Sequence, residues 1–456
     1  MEPAAAPAST SSTLQRVRSV LAIPAFRRLW GVTAVCAVGD WLSLLALSAL
    51  ATQLTTGYQA QSFALGGVVA TKLLPSLLLG PLAGALADKL NRRHVMVVCD
   101  VLRAGLFLSI PLVGSLAWLF VATFLIEVCA MFWIPAKDAS IPNLLHRRDQ
   151  VETANQLSLV MTYGVAVLTA SALFSVLSAG PALDTGLLPA AEASAYVALT
   201  LNGLAYAACA LIVATRIREI SARPTVPRGP TPGVLAMLRD GFAFVGGTPL
   251  VRGLVTGIVG AFAAGGAVIA TAKLYAVSLG GGDAAYGLLF AAMFTGLGIG
   301  MALAPQAARR IRHRRLFGVA IVAAGLALLP VAVAPHLFLA LAAVALVGCG
   351  AGVAFLTGLT IIGSQVVDSH RGRTIAFVQS IVRIDLLASM ALVPVLVGLV
   401  APRTVELLGE RVTVDGTRTV LFGAGLVAAA VGVLAYRQMD DRRGRSRLPE
   451  PAEGIP

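Results

Sequence analysis

Long apolar runs, each bounded by short charged segments, recur along the chain and limit what it can fold into. A helix needs about 20 mostly apolar residues to cross the hydrocarbon core of a bilayer. Twelve such runs occur, at roughly 30–53, 62–87, 94–113, 115–134, 154–178, 194–215, 252–279, 285–306, 316–334, 337–362, 374–400 and 420–436. The sequence therefore predicts an all-α integral membrane protein with twelve transmembrane helices.

The composition excludes a water-soluble protein and assigns the lipid bilayer as a partner. Charged residues make up 12% of the chain, against about 25% in soluble domains, and the mean hydropathy is +0.84. The net charge of +13 would suggest nucleic-acid binding in a soluble protein. Here the basic residues cluster between the apolar runs, as in cytoplasmic loops of membrane proteins, so no nucleic-acid partner is predicted.

The distribution of basic residues predicts the orientation of the chain in the cell membrane. Placing both termini in the cytoplasm leaves most of the 35 Lys and Arg residues on that side, as the positive-inside rule requires. Arg403, Arg411 and Arg418 then fall in an outer loop. The segment "LQRVRSVLAIPAFRRLW" near the N-terminus predicts a short helix at the inner membrane surface.

A polar connection divides the chain into two halves. It contains "ARPTVPRGPTPG", whose prolines and glycines interrupt regular structure. The predicted organisation is a cytoplasmic tail (1–28), a six-helix half (29–215), a cytoplasmic linker (216–250), a second six-helix half (251–437) and a cytoplasmic tail (438–456). Because "GPLAGALADKLNRR" in the first half is echoed by "GIGMALAPQAARRIRHRR" in the second, we interpret the halves as a pseudo-symmetric duplication.

Ionisable residues inside the predicted spans are the first candidates for function, because charge at the bilayer centre costs several kcal/mol. Asp40 follows Arg28 by 12 residues, about 18 Å of helical rise, which places it near the midplane. Lys72 lies at a similar depth. Two interpretations stay open: Asp40 takes up and releases protons, or it forms a permanent ion pair with Lys72.

Further charged residues lie in other spans. Glu127 is a second candidate for proton coupling. Asp100 and Arg103 are three residues apart on one predicted helix, which indicates a structural ion pair supporting the loop before them.

Three charged residues in the second half complete the set. Arg383 and Asp385 are two residues apart and cannot share a helix face, so at least one should reach another helix or the substrate cavity. Lys273 is predicted to extend towards the outer interface.

No pattern of a cofactor site or an enzyme active site is present. The five cysteines lie in apolar runs without a C-x-x-C pair, and no histidine pair has the spacing of metal ligands on one helix. There is no nucleotide-binding loop and no recognisable pair of nucleophile and base. We therefore predict no metal, no cofactor and no enzymatic activity.

The charged stretch "GALADKLNRRH" resembles the signature loop of the major facilitator superfamily, a glycine, three residues and then D-R-x-G-R-R. The matching residues are Gly84, Asp88, Lys89, Arg92 and Arg93. Lys89 replaces the usual arginine and Asn91 the usual glycine; asparagine also tolerates a left-handed turn. "FRRLWGVTAVCAVGDWLS", "DVLRAG" and "FWIPAKDASIPNLL" are similar to the branch of bacterial drug and enterobactin exporters.

This resemblance implies the major facilitator fold and a role for the loop. In that family the aspartate faces the start of helix eleven, where free N–H groups favour a carboxylate. Asp88 would then hold the two halves together at a cytoplasmic gate, opposite Arg371, Arg373 and Thr374. The alternative is that the loop only anchors the topology.

The sequence as a whole predicts a monomeric secondary transporter. The favoured activity is export of a hydrophobic or amphipathic small molecule, such as a drug, in exchange for protons. "NQLSLVMTYGVAVLTASALFSVLSAG" in helix five lacks the glycine-proline-glycine motif typical of proton-driven drug antiporters. Transport of a lipid or siderophore, and a membrane anchor or sensor that has lost transport, stay open as alternatives.

Overall fold

Long helices and a short β-hairpin make up the part of the chain that the structure describes. The computed structural model describes residues 13–87, 90–145, 147–179, 190–220, 249–365, 368–400, 403–407 and 410–439. The helices up to residue 216 are α1 (Thr13–Leu21), α2 (Pro24–Gln53), α3 (Tyr58–Ala87), α4 (Arg92–Val113), α5 (Leu116–Leu144), α6 (Arg148–Val160), α7 (Ala166–Ala179) and α8 (Ala190–Arg216). Those that follow are α9 (Pro249–Ser278), α10 (Gly282–Arg310), α11 (His313–Val333), α12 (Leu337–Gln365), α13 (Asp368–Gly398) and α14 (Gly416–Met439).

The helices confirm the predicted all-α membrane class. Among the described residues, 11 segments are long and apolar enough to cross a membrane. The remaining predicted span, 62–87, falls within α3. The span predicted at 154–178 is formed by α6 and α7, which are joined without a break by one π-helical turn, Met161–Val165.

Several helices are longer than the apolar runs that predicted them. α5 has 29 residues, about 44 Å of rise, whereas the run at 115–134 would cover only the hydrocarbon core. It continues through Pro135 and Pro142 into the polar segment that follows. Hydropathy marks the part of a helix that lies in lipid, but it does not mark the helix end.

The chain forms two compact units. The first unit comprises Met1–Thr231 and Ala276–Phe294. In it α2 packs against α3, α7 and α8, and α4 packs against α5 and α8. The predicted inner-surface helix is α1; it lies on α6, buries Val20 and exposes Arg16 and Arg18.

The second unit comprises Pro232–Tyr275 and Thr295–Pro456. Its centre is the crossing of α11 with α14 and α12. At Gly325 an added Cβ would meet the backbone of Gly425 at 2.7 Å, so the two helices touch backbone to backbone. Small residues at such crossings let membrane helices approach closely.

A β-hairpin joins α13 to α14 in the second unit. Strands β1 (Arg403–Leu407) and β2 (Glu410–Val414) are antiparallel, with Arg403 opposite Val414 and Leu407 opposite Glu410. The sequence analysis predicted this segment only as an outer loop.

Candidate functional site

Asp40 lies at the centre of a charged group in the first unit. Its Oδ1 accepts hydrogen bonds from Arg103 Nη2 of α4 and from the hydroxyl of Tyr206 of α8, the latter at 2.6 Å. The Arg103 guanidinium also lies over the Tyr206 ring, 4.1 Å from its centroid. We call Asp40, Arg103 and Tyr206 the charge cluster.

The members of the charge cluster differ in their exposure. The Arg103 side chain is 1% exposed and Tyr206 is 1% exposed, whereas the Asp40 side chain keeps 46% of its surface exposed. A buried guanidinium needs a hydrogen-bonded counterion. Asp40 supplies it, while nearly half of its own side chain stays exposed.

Small residues bring α2 and α8 close enough to form the cluster. A Cβ at Gly39 would overlap Asn202 Oδ1 and lie 3.4 Å from the Tyr206 ring, so no larger residue fits beside Asp40 without movement. On the other side, the Tyr206 ring stacks on Phe107 with centroids 5.6 Å apart. The hydroxyl of Tyr206 is thereby directed at Asp40.

The predicted partnership of Asp40 with Lys72 is wrong. Lys72 Nζ instead lies 2.5 Å from Glu127 Oε1, and the two side chains are 16% and 20% exposed. The physical reason is the packing of α3 on α5, which places these two charges opposite each other. The two predicted proton candidates, Asp40 and Glu127, therefore belong to different ion pairs.

The predicted pair of Asp100 and Arg103 is also corrected. The long side chain of Arg103 reaches across to Asp40 on α2, and the hydroxyl of Tyr206 on α8 donates to the same carboxylate oxygen. Asp100 is 0% exposed, and neither carboxylate oxygen has a hydrogen-bond partner among the described residues. The indole of Trp133 lies beside it.

A π-helical turn lies next to the charge cluster. Trp41, which follows Asp40, donates a hydrogen bond from Nε1 to the carbonyl of Thr162 at 2.8 Å. Thr162 belongs to the turn at Met161–Val165, where the helical hydrogen bonds are displaced. Such turns are frequent at functional sites. This one lies in the span at 154–178, whose sequence lacks the glycine-proline-glycine motif.

The structure describes only some residues of the predicted cytoplasmic gate. Gly84 belongs to α3, and Asp88 and Lys89 lie outside the described residues. Arg92 donates to the carbonyl of Ala139 near the end of α5, at 2.8 Å, and Arg93 to those of Val213 and Ala214 near the end of α8. Both arginines thus satisfy carbonyls at helix C-termini, where positive charge is favourable.

Asn91 departs from the predicted left-handed turn. Its φ of −67° and ψ of 115° are extended, and its Oδ1 accepts from the N–H groups of Arg93 and His94 at 3.1 and 3.4 Å. Asparagine here is the N-cap of α4, a position that it favours strongly.

In the second unit, the three predicted charges differ in their exposure. Arg383 is exposed, and Asp385 has one buried oxygen, Oδ2, without a partner in the described part of the chain. Lys273, predicted to reach the outer interface, is only 5% exposed and packs inside the unit.

Arg418 is a buried residue that the sequence analysis had placed in a loop. It lies in the first turn of α14, is 3% exposed, and donates from Nη1 to the carbonyls of Ala332 and Ala334 at 3.2 and 2.7 Å. Asp415 accepts its backbone N–H at 3.0 Å. Arg418 therefore caps the end of α11 and has a structural role.

Tyr206 and Asn202 were missed by the sequence analysis. Tyr206 bonds Asp40 across 166 positions, so no local pattern marks it. The available signal was that a tyrosine hydroxyl or an asparagine inside an apolar span needs a polar partner.

In the residues that the structure describes, no group of three or more His, Cys, Asp and Glu residues could hold a metal ion.

Comparison with known proteins agrees with this architecture. Residues 17–453 match the family described as "Transmembrane secretion effector". An uncharacterized MFS-type transporter of Bacillus subtilis (strain 168), YfiS, is 26% identical over 245 residues, 52% of this chain and 54% of its own. The chain thus matches about half the length of that relative.

Solved structures share the fold. A bacterial homologue of the human lysosomal transporter Spinster has a TM-score of 0.69 at 16% identity, with 91% of this chain and 98% of that chain covered. The nucleoside transporter NupG has a TM-score of 0.67 at 12% identity, with 94% and 100% covered. At these identities the likeness establishes the fold alone. The family match over residues 17–453 establishes that this chain belongs to the transmembrane secretion effector family of the major facilitator superfamily, and its apolar helical spans agree with a multi-pass membrane protein.

Proposed function

We propose that the protein exports a hydrophobic or amphipathic small molecule across the cell membrane in exchange for protons, and that Asp40 carries the proton. The observation that carries this proposal is the charge cluster: one half-exposed carboxylate held by a buried arginine and a buried tyrosine. A carboxylate within a span faces water or a polar cavity, because contact with lipid is too costly. Asp40 can therefore exchange protons with solvent.

Glu127 is the weaker candidate for the coupling residue. Its carboxylate is 20% exposed and lies 2.5 Å from the ammonium of Lys72. A buried ion pair is costly to break because one charge is left uncompensated. We assign the pair a structural role and keep Glu127 as the reserve proton carrier.

The proposed substrate class follows from the composition of the spans. Apolar and small residues dominate them, with few fixed polar groups to recognise a strongly polar molecule. A lipid or a siderophore are the alternative substrates. A protein that had lost transport need not retain Asp40 half-exposed beside a buried arginine, and we do not favour that alternative.

A thermal-shift screen of the purified protein identifies the substrate class. Drugs, siderophores and lipids are added in turn, and a ligand that binds the folded state raises Tm by mass action. A ligand at 100 times its Kd adds about 2.7 kcal/mol of stability. A shift with lipids or siderophores alone would replace the drug-like substrate proposed here.

Transport by proteoliposomes with an imposed pH gradient tests the role of Asp40, using the ligand that the screen identifies. Asp40→Asn fixes the neutral form, so gradient-driven transport should be lost while ligand binding in detergent persists. Asp138→Asn is the matched control, because Asp138 is an ion-paired aspartate of the same unit whose side chain is 58% exposed. Gradient-driven transport that survives in Asp40→Asn would remove this residue from the mechanism and move the role to Glu127.

We further propose that both termini are cytoplasmic, that the protein acts as a monomer, and that Asp88 stabilises a closed cytoplasmic gate through the start of α13. The charge of an acid at a helix N-terminus contributes roughly 0.3–2 kcal/mol, so Asp88→Asn should shift the conformational equilibrium several-fold. Distances between spin labels on the two cytoplasmic surfaces report that shift. Unchanged distance populations would leave the loop as a topological anchor.

A further inference from the structure

Asp100 is a second carboxylate at the charge cluster that the proposed mechanism does not use. It lies one helical turn before Arg103 on α4 and is 0% exposed. Neither of its oxygens has a partner at normal hydrogen-bond geometry in the described part of the chain, and the donor that interacts with the carboxylate, the indole N–H of Trp133, is neutral. Arg103 and Asp40 both lie within electrostatic range of it.

Arg103 has an unused donor that can serve this second acid. Its Nη2 contacts Asp40, whereas its Nε is buried and has no partner in the described part of the chain. The guanidinium is a rigid fork with five N–H donors, so it can bond carboxylates from more than one direction. One cation therefore lies between two acids.

The neighbouring groups offer no other charge compensation for Asp100. The titratable or polar side chains around the cluster are Cys36 on α2, Cys99 on α4, Glu127, Cys129 and Trp133 on α5, and Asn202, Tyr206 and Cys209 on α8. Glu127 is the charged residue among these, and it is paired with Lys72. A second cation is thus lacking among the described groups that surround Asp100.

This charge balance sets the protonation of the two acids. An isolated ionised carboxylate in a dry interior costs many kcal/mol, and such a group takes up a proton instead. While Arg103 bonds Asp40, Asp100 therefore holds a proton. If the proton of Asp100 passes to Asp40, the same argument requires Arg103 to turn from Asp40 to the carboxylate of Asp100, which is then ionised.

We propose that Asp40 and Asp100 share a single proton and that Arg103 bonds whichever of the two carboxylates is ionised. The proton that one acid gains is balanced by the proton that the other gives up, so the three side chains together stay neutral in both arrangements. Asp100 is a positioning residue: it supplies the counterion that Arg103 needs while Asp40 is protonated. This inference rests on the proposed function, because it gives Asp40 a way to change its protonation inside the membrane.

Infrared spectroscopy of the full-length protein in detergent tests the proposal without any substrate. Protonated carboxylic acids have a carbonyl stretching band that is separate from those of carboxylates and amides. At neutral pH the spectrum of the unsubstituted protein minus that of Asp100→Asn should show this band, because Asp100 is protonated. The decisive variant is Asp40→Asn, in which Arg103 is released to Asp100 and the Asp100 band should disappear although Asp100 is still present.

Controls separate this outcome from misfolding. Arg103→Gln removes the shared cation, so the band should persist or grow, and Asp138→Asn should leave it unchanged. Tm and the elution profile from gel filtration establish that each variant is folded. If Asp100→Asn does not fold, Asp100→Glu moves the band instead, and the Asp40→Asn experiment still reads the native Asp100.

Two results would overturn the proposal: a spectrum unaltered by Asp100→Asn or Asp100→Glu, or an Asp100 band that keeps its intensity in Asp40→Asn. Both are independent of the proposed function, which is read from transport driven by a pH gradient. Transport that needs Asp40 without the cross-effect on Asp100 would leave the function standing and remove the shared proton. If the Asp100 band disappears in Asp40→Asn but the unsubstituted protein shows no gradient-driven transport, the shared proton stands and the proposed function is removed.

Discussion

Replacement of Gly39 by alanine tests how much the close packing of α2 and α8 contributes to stability. The new Cβ would overlap Asn202 Oδ1 and lie 3.4 Å from the Tyr206 ring. Asn202 is 2% exposed and so has little room to withdraw. The Asn202 side chain or the two helices must therefore move, which disturbs the packing that holds the Tyr206 hydroxyl on Asp40.

The magnitude follows from two opposed terms. Glycine within a helix is less stable than alanine by roughly 0.5–1 kcal/mol, so the backbone alone would favour the substitution. Overpacking a filled interface costs about 1–3 kcal/mol. Gly31 lies on the same helix with no atom within 4 Å of an added Cβ, so Gly31→Ala has the first term without the second. Gly39→Ala should therefore be less stable than Gly31→Ala by about 1–3 kcal/mol.

Thermal unfolding in detergent measures this difference. At about 2–4 °C per kcal/mol for a unit of 250 residues, Tm of Gly39→Ala should lie roughly 2–12 °C below that of Gly31→Ala. Asn202→Ala removes the overlapping atom, so the double variant Gly39→Ala/Asn202→Ala should recover most of the loss. Equal Tm values for the two glycine variants, or a double variant no better than the single one, would refute the packing argument.

Three further substitutions test the contacts that hold the site. Tyr206→Phe keeps the aromatic ring but removes the hydrogen bond to Asp40. The free energy of unfolding in detergent should therefore fall by about 1.5–3 kcal/mol. Asn91→Ala removes the N-cap of α4, so the free energy of unfolding should fall by about 0.5–2 kcal/mol, whereas Asn91→Asp should retain stability. If the Tm of Asn91→Ala equals that of the unsubstituted protein, the capping role is wrong. Arg418→Gln should lower stability by about 1–3 kcal/mol because carbonyls at the end of α11 lose a donor, while Arg437→Gln, at an exposed position of the same helix, should have little effect.

Most of the fold could be predicted from the sequence because the bilayer imposes one strong constraint, the apolar run of about 20 residues. The span predicted at 94–113 differs from α4, Arg92–Val113, by two residues. The span at 30–53 begins six residues late, because α2 starts at Pro24, where proline fits the first helical turn. The π-helical turn at Met161–Val165 has no hydropathy signal and was not predicted.

The charged residues of the candidate site were singled out from the sequence, but their pairings were not predicted and Tyr206 was missed. Asp40, Lys72 and Glu127 were found because charge inside a span is rare. Which cation meets which acid depends on the rotation of each helix about its axis, and hydropathy at 3.6 residues per turn does not fix that rotation when a span is apolar all round. Arg103 shows the difficulty: sequence spacing favours Asp100, whereas its guanidinium bonds Asp40 on another helix.

The ion pair of Lys72 and Glu127 allows a test of whether a buried charge pair is structural or takes part in coupling. Lys72→Met leaves the carboxylate of Glu127 uncompensated, so stability should fall by about 3–5 kcal/mol. Lys72→Met/Glu127→Gln removes both charges and should recover most of that loss. Lys137 and Asp138 form the control pair: their charges lie 2.8 Å apart but the Asp138 side chain is 58% exposed, so the corresponding cycle should give about 0–1 kcal/mol. If Glu127 is structural, the double variant still transports in a pH gradient; loss of that transport in a stably folded double variant would make Glu127, and not Asp40 alone, a proton carrier.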